Sequence, residues 1–199
     1  MQVSLSSVLE FWLGEVEETQ EYLRARTAIW FMGGEVVDRI LQKRFGSLLE
    51  SIAAGKVEAP TGPLDKLATI IVLDQFSRNI FRGTPRAFTQ DAQALRLAKE
   101  MIAAGEEKIL REIPRVFAYL PFEHSENLAD QELSVDYFRQ LTQGAPGALK
   151  EAFEQNLDYA VRHRDIIRRF GRFPHRNAIL DRQSTPEELE FLKTPGSSF

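Results

Sequence analysis

The sequence predicts an all-α fold, and two observations carry the prediction. Apolar residues recur at the spacing of an amphipathic helix almost throughout, whereas the alternation of a half-buried strand is nearly absent. Helix start and stop signals fall at the ends of those periodic stretches. At 199 residues the chain has the length of one domain, since domains commonly run ~100–200 residues. We therefore expect a single helical domain over residues 1–199.

Taken in order, Ser6 or Ser7 is expected to cap a short helix through Val8, Leu9, Phe11 and Trp12, which Gly14 closes. Residues 16–32 are ambiguous, starting acidic and ending in "IWFMGG", whose paired glycines signal a turn. Val37, Ile40, Leu41, Phe45, Leu48, Leu49 and Ile52 mark an amphipathic helix from Val36 to Ala54, stopped by Gly55. Pro63 suits the first turn of the next helix, where its missing N–H costs little. That helix, 63–82, is apolar almost all round and should be central in the domain. Thr84-Pro85 opens another, reaching Ala104. Residues 109–119 and 121–142 read as two helices with Pro121 at the joint, because proline disfavours helix in the residue before it. Pro146 opens a long helix ending near Phe170-Gly171. "STPEEL", with Thr185, Pro186 and Glu188, is a capping box for a terminal helix. No fixed internal repeat is visible.

Composition removes several functions. There is no cysteine, which excludes disulfides, thiolate metal sites and thiol catalysis, and suits a reducing cytoplasm. A net charge of −4 argues against a nucleic-acid partner. The opening "MQVSLSSVLEFWLGEVEE" lacks the cationic start of a signal peptide, and no run approaches the ~20 apolar residues of a membrane span. A cytoplasmic protein without a membrane partner is the expectation. The sequence specifies no cofactor and no oligomeric state.

Three polar segments interrupt this apolar pattern. In "LDQFSRNIFRG", Asp74, Arg78 and Arg82 recur every four residues and share a helical stripe, with Gln75 and Asn79 beside it. Such a stripe either meets water or lines a polar cleft, for which arginine is well shaped when the ligand is carboxylate or phosphate. "YLPFEHSE" brings Glu123, His124 and Glu126 together after an apolar run. No Glu-x-x-His or His-x-x-x-His spacing accompanies them, so no metal is expected. Residues 162–182 hold seven Arg against two Asp, a run most commonly explained as a solvated basic face; within it Arg172, His175, Arg176 and Asn177 offer the many donors of a compact anion site in a short loop, and His163, on the helix before them, is a further ligand candidate.

The stretches "LDQFSRNIFRGTPRAF", "YLPFEHSE", "RHRDIIRRFGRFPHRNAIL", "STPEELEFL" and "PGSSF" resemble the bacterial family called domain of unknown function 924. The resemblance covers nearly the whole chain. It implies an all-α, tetratricopeptide-like αα-superhelix and no assigned activity. Two positions depart from the pattern: Ser77 stands where proline is expected, and Asp181 where glycine is expected. Aspartate tolerates left-handed backbone better than most residues.

Three functions compete. One is a pocket for a small anionic ligand, phosphate or carboxylate, held by Arg78, Arg82 and Arg176. Another is a clamp that binds a peptide along the superhelix. The third is an enzyme of hydrolase type, with His124 or His175 as acid–base and Glu123 or Asp74 orienting it. A clamp spreads its polar groups along a groove, a pocket gathers them, and an enzyme adds a histidine bonded to a carboxylate.

Overall fold

The computed structural model describes residues 3–198, and every regular element among them is helical. Helix α1 (Leu5–Trp12) starts earlier than expected. Ser4, not Ser6 or Ser7, is its cap and accepts the Ser7 amide. Residues left ambiguous by the sequence form α2 (Gln20–Trp30), capped by Thr19. Two of its aromatic side chains reach back to the end of α1. Tyr22 Oη donates to the Leu13 carbonyl at 2.7 Å and Trp30 Nε1 to the Trp12 carbonyl at 2.8 Å, satisfying acceptors that a helix C-terminus leaves open.

Helix α3 (Gly34–Ala53) runs into the loop before α4 (Pro63–Ile71). The expected single helix to residue 82 is then broken in kind: Val72–Phe76 winds as a π turn and Ser77–Ile80 resumes as α5. The helix ends at Ile80, since Phe81 leaves helical geometry at φ −110°, ψ 25°. Pro85–Phe88 is a separate 3₁₀ turn before α6 (Asp91–Ala103), so the helix expected from Pro85 is also split. A further 3₁₀ turn, Glu106–Ile109, leads into α7.

Pro121 does not mark a joint. It lies inside α7 (Glu112–Glu123), and α8 (Leu128–Gln143) begins only after Asn127, which caps it. Burial of Leu120, Pro121 and Phe122 in the core overrides the local preference that proline imposes on its predecessor. Gln131 of α8 then ties off the end of α7, donating from Nε2 to the carbonyls of Glu123 at 2.6 Å and Ser125 at 2.7 Å. Helix α9 (Gly147–Phe170) ends as read, on Gly171 at φ 70°. The 3₁₀ turn Pro174–Arg176 follows, and α10 (Pro186–Phe191) carries the expected capping box of Thr185 and Glu188.

Packing is tightest between α8 and α9, then α7 and α8. Short links make these helices side-by-side neighbours, an arrangement compatible with the superhelix that the resemblance implies. The aromatic core gathers on Phe76, whose ring centre lies 5.2 Å from that of Trp12 and 5.0 Å from that of Phe45. The π turn is thereby anchored on one side, and its other side presents Asp74 and Gln75. Among the described residues no helix is long and apolar enough to cross a membrane.

Candidate functional site

A π turn widens the helix and re-aims the side chains it carries, and such turns are frequent at functional sites. Here it places Asp74, 1% exposed, at the centre of a polar network. Asp74 Oδ1 lies 2.7 Å from His124 Nδ1 and 3.0 Å from Arg78 Nη1, and Oδ2 accepts from Gln75 Nε2 at 2.5 Å. Two backbone carbonyls of the turn are met by side chains: Ser77 Oγ donates to Leu73 O, and Arg78 Nη1 to Asp74 O at 2.8 Å. The serine hydroxyl thus satisfies an acceptor at the position where proline was expected.

Arg78 extends the network to Asp91 at the start of α6, with contacts of 2.9 and 3.0 Å. Asp91 also receives Arg176 Nη1 at 3.3 Å, so one carboxylate bridges two guanidinium groups. Arg176 is 6% exposed and lies between two rings, its Cζ 4.6 Å from the Phe88 centre and 4.5 Å from that of Phe173. Its Nε is buried with no hydrogen-bond partner. On the far side of His124, the His163 ring lies 6.4 Å away, and His163 Nδ1 is 3.4 Å from Glu123 Oε1 and 2.9 Å from the Tyr159 carbonyl.

Protonation follows from these surroundings. Burial pushes the Asp74 carboxyl up, but Arg78 and His124 outweigh it and hold it well below the usual carboxylate range. Burial pushes Glu123 up to about 8, helped by the charge of Asp74. Two carboxyl groups of one site are therefore driven apart, one ionised and one protonated at neutral pH. Burial, with Arg78, lowers His124, and burial lowers His163 well below its ordinary value. Neutral His124 must then donate its Nδ1–H to the Asp74 carboxylate, leaving a lone pair on Nε2. Likewise His163 donates Nδ1–H to the Tyr159 carbonyl. Its contact with Glu123 joins two neutral groups and is no ion pair. Burial and then Arg176 bring His175 down to about 4. Burial, followed by Arg78, lowers even Arg176 to about 10.

The remaining expected residues fall into adjoining groups. Glu126 accepts from Arg182 at 2.7 and 3.0 Å and from the Phe173 amide at 2.8 Å. Arg172 grips Glu188 at 2.6 and 2.7 Å, and Asn177 donates to Ser184 at 3.0 Å and Glu188 at 3.3 Å. These bonds fasten the 3₁₀ turn that carries His175 and Arg176. Asn79 is buried but adds no side-chain hydrogen bond to the network among the described residues. Arg82 departs from the stripe. Lying beyond the end of α5, it pairs with Asp38 of α3 at 2.7 and 2.9 Å, apart from the Asp74–Arg78 pair. Asp91 and Arg182 were missed, and Glu188 was read only as a member of the capping box. Asp91 follows a loop at a helix start, where an acid reads only as a complement to the helix dipole.

Asp74, Arg78, His124, Asp91 and Arg176 thus form one connected network, with the Glu126–Arg182 and Arg172–Glu188 groups beside it. Among the described residues no three His, Asp or Glu side chains come together to hold a metal ion.

The model of the family described as "Bacterial protein of unknown function (DUF924)" matches residues 8–196. The chain belongs to that family. A solved structure of a protein of unknown function from Agrobacterium tumefaciens resembles this DUF924 chain at 35% identity. The two superpose with a TM-score of 0.80, over 95% of this chain and 96% of the other. No curated protein matches. The DUF924 match runs through every segment of the network, from the π turn to the Arg172–Glu188 grip.

Proposed function

We propose that the chain binds a small anionic ligand, a phosphate or a carboxylate, at the Arg176 end of the network. The observation that carries this reading is the undersupply of acceptors there. Arg176 has five N–H donors, its Nε is buried without a partner, and its carboxylate contact, at 3.3 Å, is to an Asp91 already engaged by Arg78. A buried cation so placed favours an anion, and a planar fork stacked between Phe88 and Phe173 is preorganised to meet two oxygens at once. A cytoplasmic setting suits a chain without cysteine.

Thermal unfolding in inorganic phosphate, acetate and chloride at matched ionic strength tests this. Phosphate or acetate should raise Tm beyond chloride by linkage, and Arg176→Lys, which keeps the charge and loses the fork, should reduce that rise. Equal shifts for all three salts would overturn the reading.

A further inference from the structure

Helix α3 has two apolar faces. One buries Leu41, Phe45, Leu49 and Ile52 in the core. At about 3.6 residues per turn, Val36 and Ile40 fall with Lys43 and Ser47 on the opposite stripe. Both apolar members of that stripe stand in water, Val36 at 60% exposure and Ile40 at 42%. The turn that leads into the helix adds Phe31 at 59% and Met32 at 77%. Single exposed apolar residues are ordinary on a protein surface, but such a run of large ones marks a contact face.

We propose that this face of α3 docks a second copy of the chain, the two helices lying antiparallel about a two-fold axis level with residue 38. The charges along the stripe point to a copy. Glu35, Arg39 and Lys43 are exposed along one edge of it. Helical spacing allows Glu35 and Arg39 to pair with each other, yet among the described residues none of the three joins an ion pair. Their order from the helix N-terminus is acid, base, base, so an antiparallel copy meets each sign with the other.

The register follows from the apolar pair. Val36 packs on Ile40 of the copy, and Ile40 on the copy's Val36. Glu35 then falls opposite the space between Arg39 and Lys43 of the copy, about 3 Å along the axis from each at 1.5 Å per residue. A two-fold axis makes every such contact twice. Asp38 stays out of the contact, turned to Arg82 of its own chain. An anionic membrane suits the face less well, because lipid headgroups attract cations alone and Glu35 would oppose them. The face shares no residue with the network around Asp74. Standard interfaces take about twenty to thirty residues a side. One helix face with its entry turn is smaller, so the dimer is weak, with Kd ~10–100 μM.

Sedimentation equilibrium of the full chain from ~1 μM to ~1 mM, a range that brackets this Kd, should show monomer passing to dimer. Ile40→Glu puts a charge at the centre of the contact and should stay monomeric. Its site is exposed, so the fold should persist, as far-UV circular dichroism checks. Glu35→Arg and Arg39→Glu each set like charges opposite one another twice, and each should weaken association at least ~10-fold. Mixed in equal amounts, these two variants should regain most of it, since both facing 35–39 positions then hold opposite signs. A wild type that stays monomeric to the top of the range would overturn the proposal. A dimer indifferent to Ile40→Glu, or charge variants that do not associate on mixing, would do the same. Binding of monomer to phosphatidylglycerol vesicles, lost in Ile40→Glu and without dimer in solution, would assign the face to a membrane instead.

Discussion

Asp74 and His124, fifty positions apart in the chain, meet at 2.7 Å through Oδ1 and Nδ1. That contact ties the π turn to the end of α7. It also explains why an anion and a cation sit on an otherwise apolar helix: Asp74 is the shared acceptor for an imidazole on one side and Arg78 on the other. The contact with His124 needs Asp74 turned into the fold, whereas its pair with Arg78 is the contact that helical spacing already allows. The polar stripe is thus an internal strut, and its energetics should be those of buried charge.

Arg78→Ala tests that statement. The substitution removes the partner of a carboxylate that is 1% exposed and takes one of the two guanidinium contacts from Asp91. Breaking a buried pair by deleting one member costs ~3–5 kcal/mol. Urea denaturation should show a loss in that range. A loss under ~1 kcal/mol, the size for exposed pairs, would show that Asp74 finds water instead.

Arg82→Ala is the contrasting case. Its side chain is 59% exposed beside Asp38, and exposed ion pairs contribute ~0–1 kcal/mol. The variant should unfold near the wild-type urea midpoint and retain the full phosphate response. Loss of that response would bring Arg82 back into the anion site.

These two arginines also show how far the sequence could be read. Apolar periodicity and capping chemistry are local, so the helices, the Thr185–Glu188 box and the Gly171 stop were legible. A π turn keeps the same hydrophobic composition while changing the residues per turn, so the stripe that links Asp74 to Arg78 was right and its extension to Arg82 was not. Pro121 misled because core burial, a tertiary effect, governs its turn. "LDQFSR", "FEH" and "PHRN" were each marked out as candidates by their polarity. Their shared carboxylate Asp91 was not, since nothing local separates a bridging aspartate from one that merely starts a helix.

Asp181 offers a backbone test. It occupies left-handed geometry at φ 51°, so the tight turn survives where glycine was expected. The next residue, Arg182, donates its amide to the Asn177 carbonyl at 2.8 Å and its guanidinium to Glu126. For an L-residue other than glycine that conformation costs roughly 1–2 kcal/mol, partly relieved for aspartate. Asp181→Gly should therefore raise stability by up to ~1 kcal/mol, offset in part by the greater freedom of unfolded glycine. A clear destabilisation by the same denaturation measurement would mean that the aspartate side chain holds the turn.

Glu123 gives a prediction in pH. In the unfolded chain it releases its proton near 4.5, whereas the folded chain keeps it to about 8. Between those values the folded state binds more protons, so this residue makes stability fall as pH rises from about 5 to 8 and level off above. His124 and His163 act in the opposite sense below their ordinary pKa, because their folded values are lowered. Glu123 must therefore be isolated by difference. Glu123→Gln leaves both histidines in place and removes the titrating group. At ~1.36 kcal/mol per pKa unit, the wild type should lose on the order of a few kcal/mol relative to the variant across the window. Urea denaturation at pH 5, 6, 7 and 8 should show Glu123→Gln gaining on the wild type at each step. Parallel curves would show that Glu123 ionises inside the fold at its ordinary pKa, and would leave the site without a protonated acid at neutral pH.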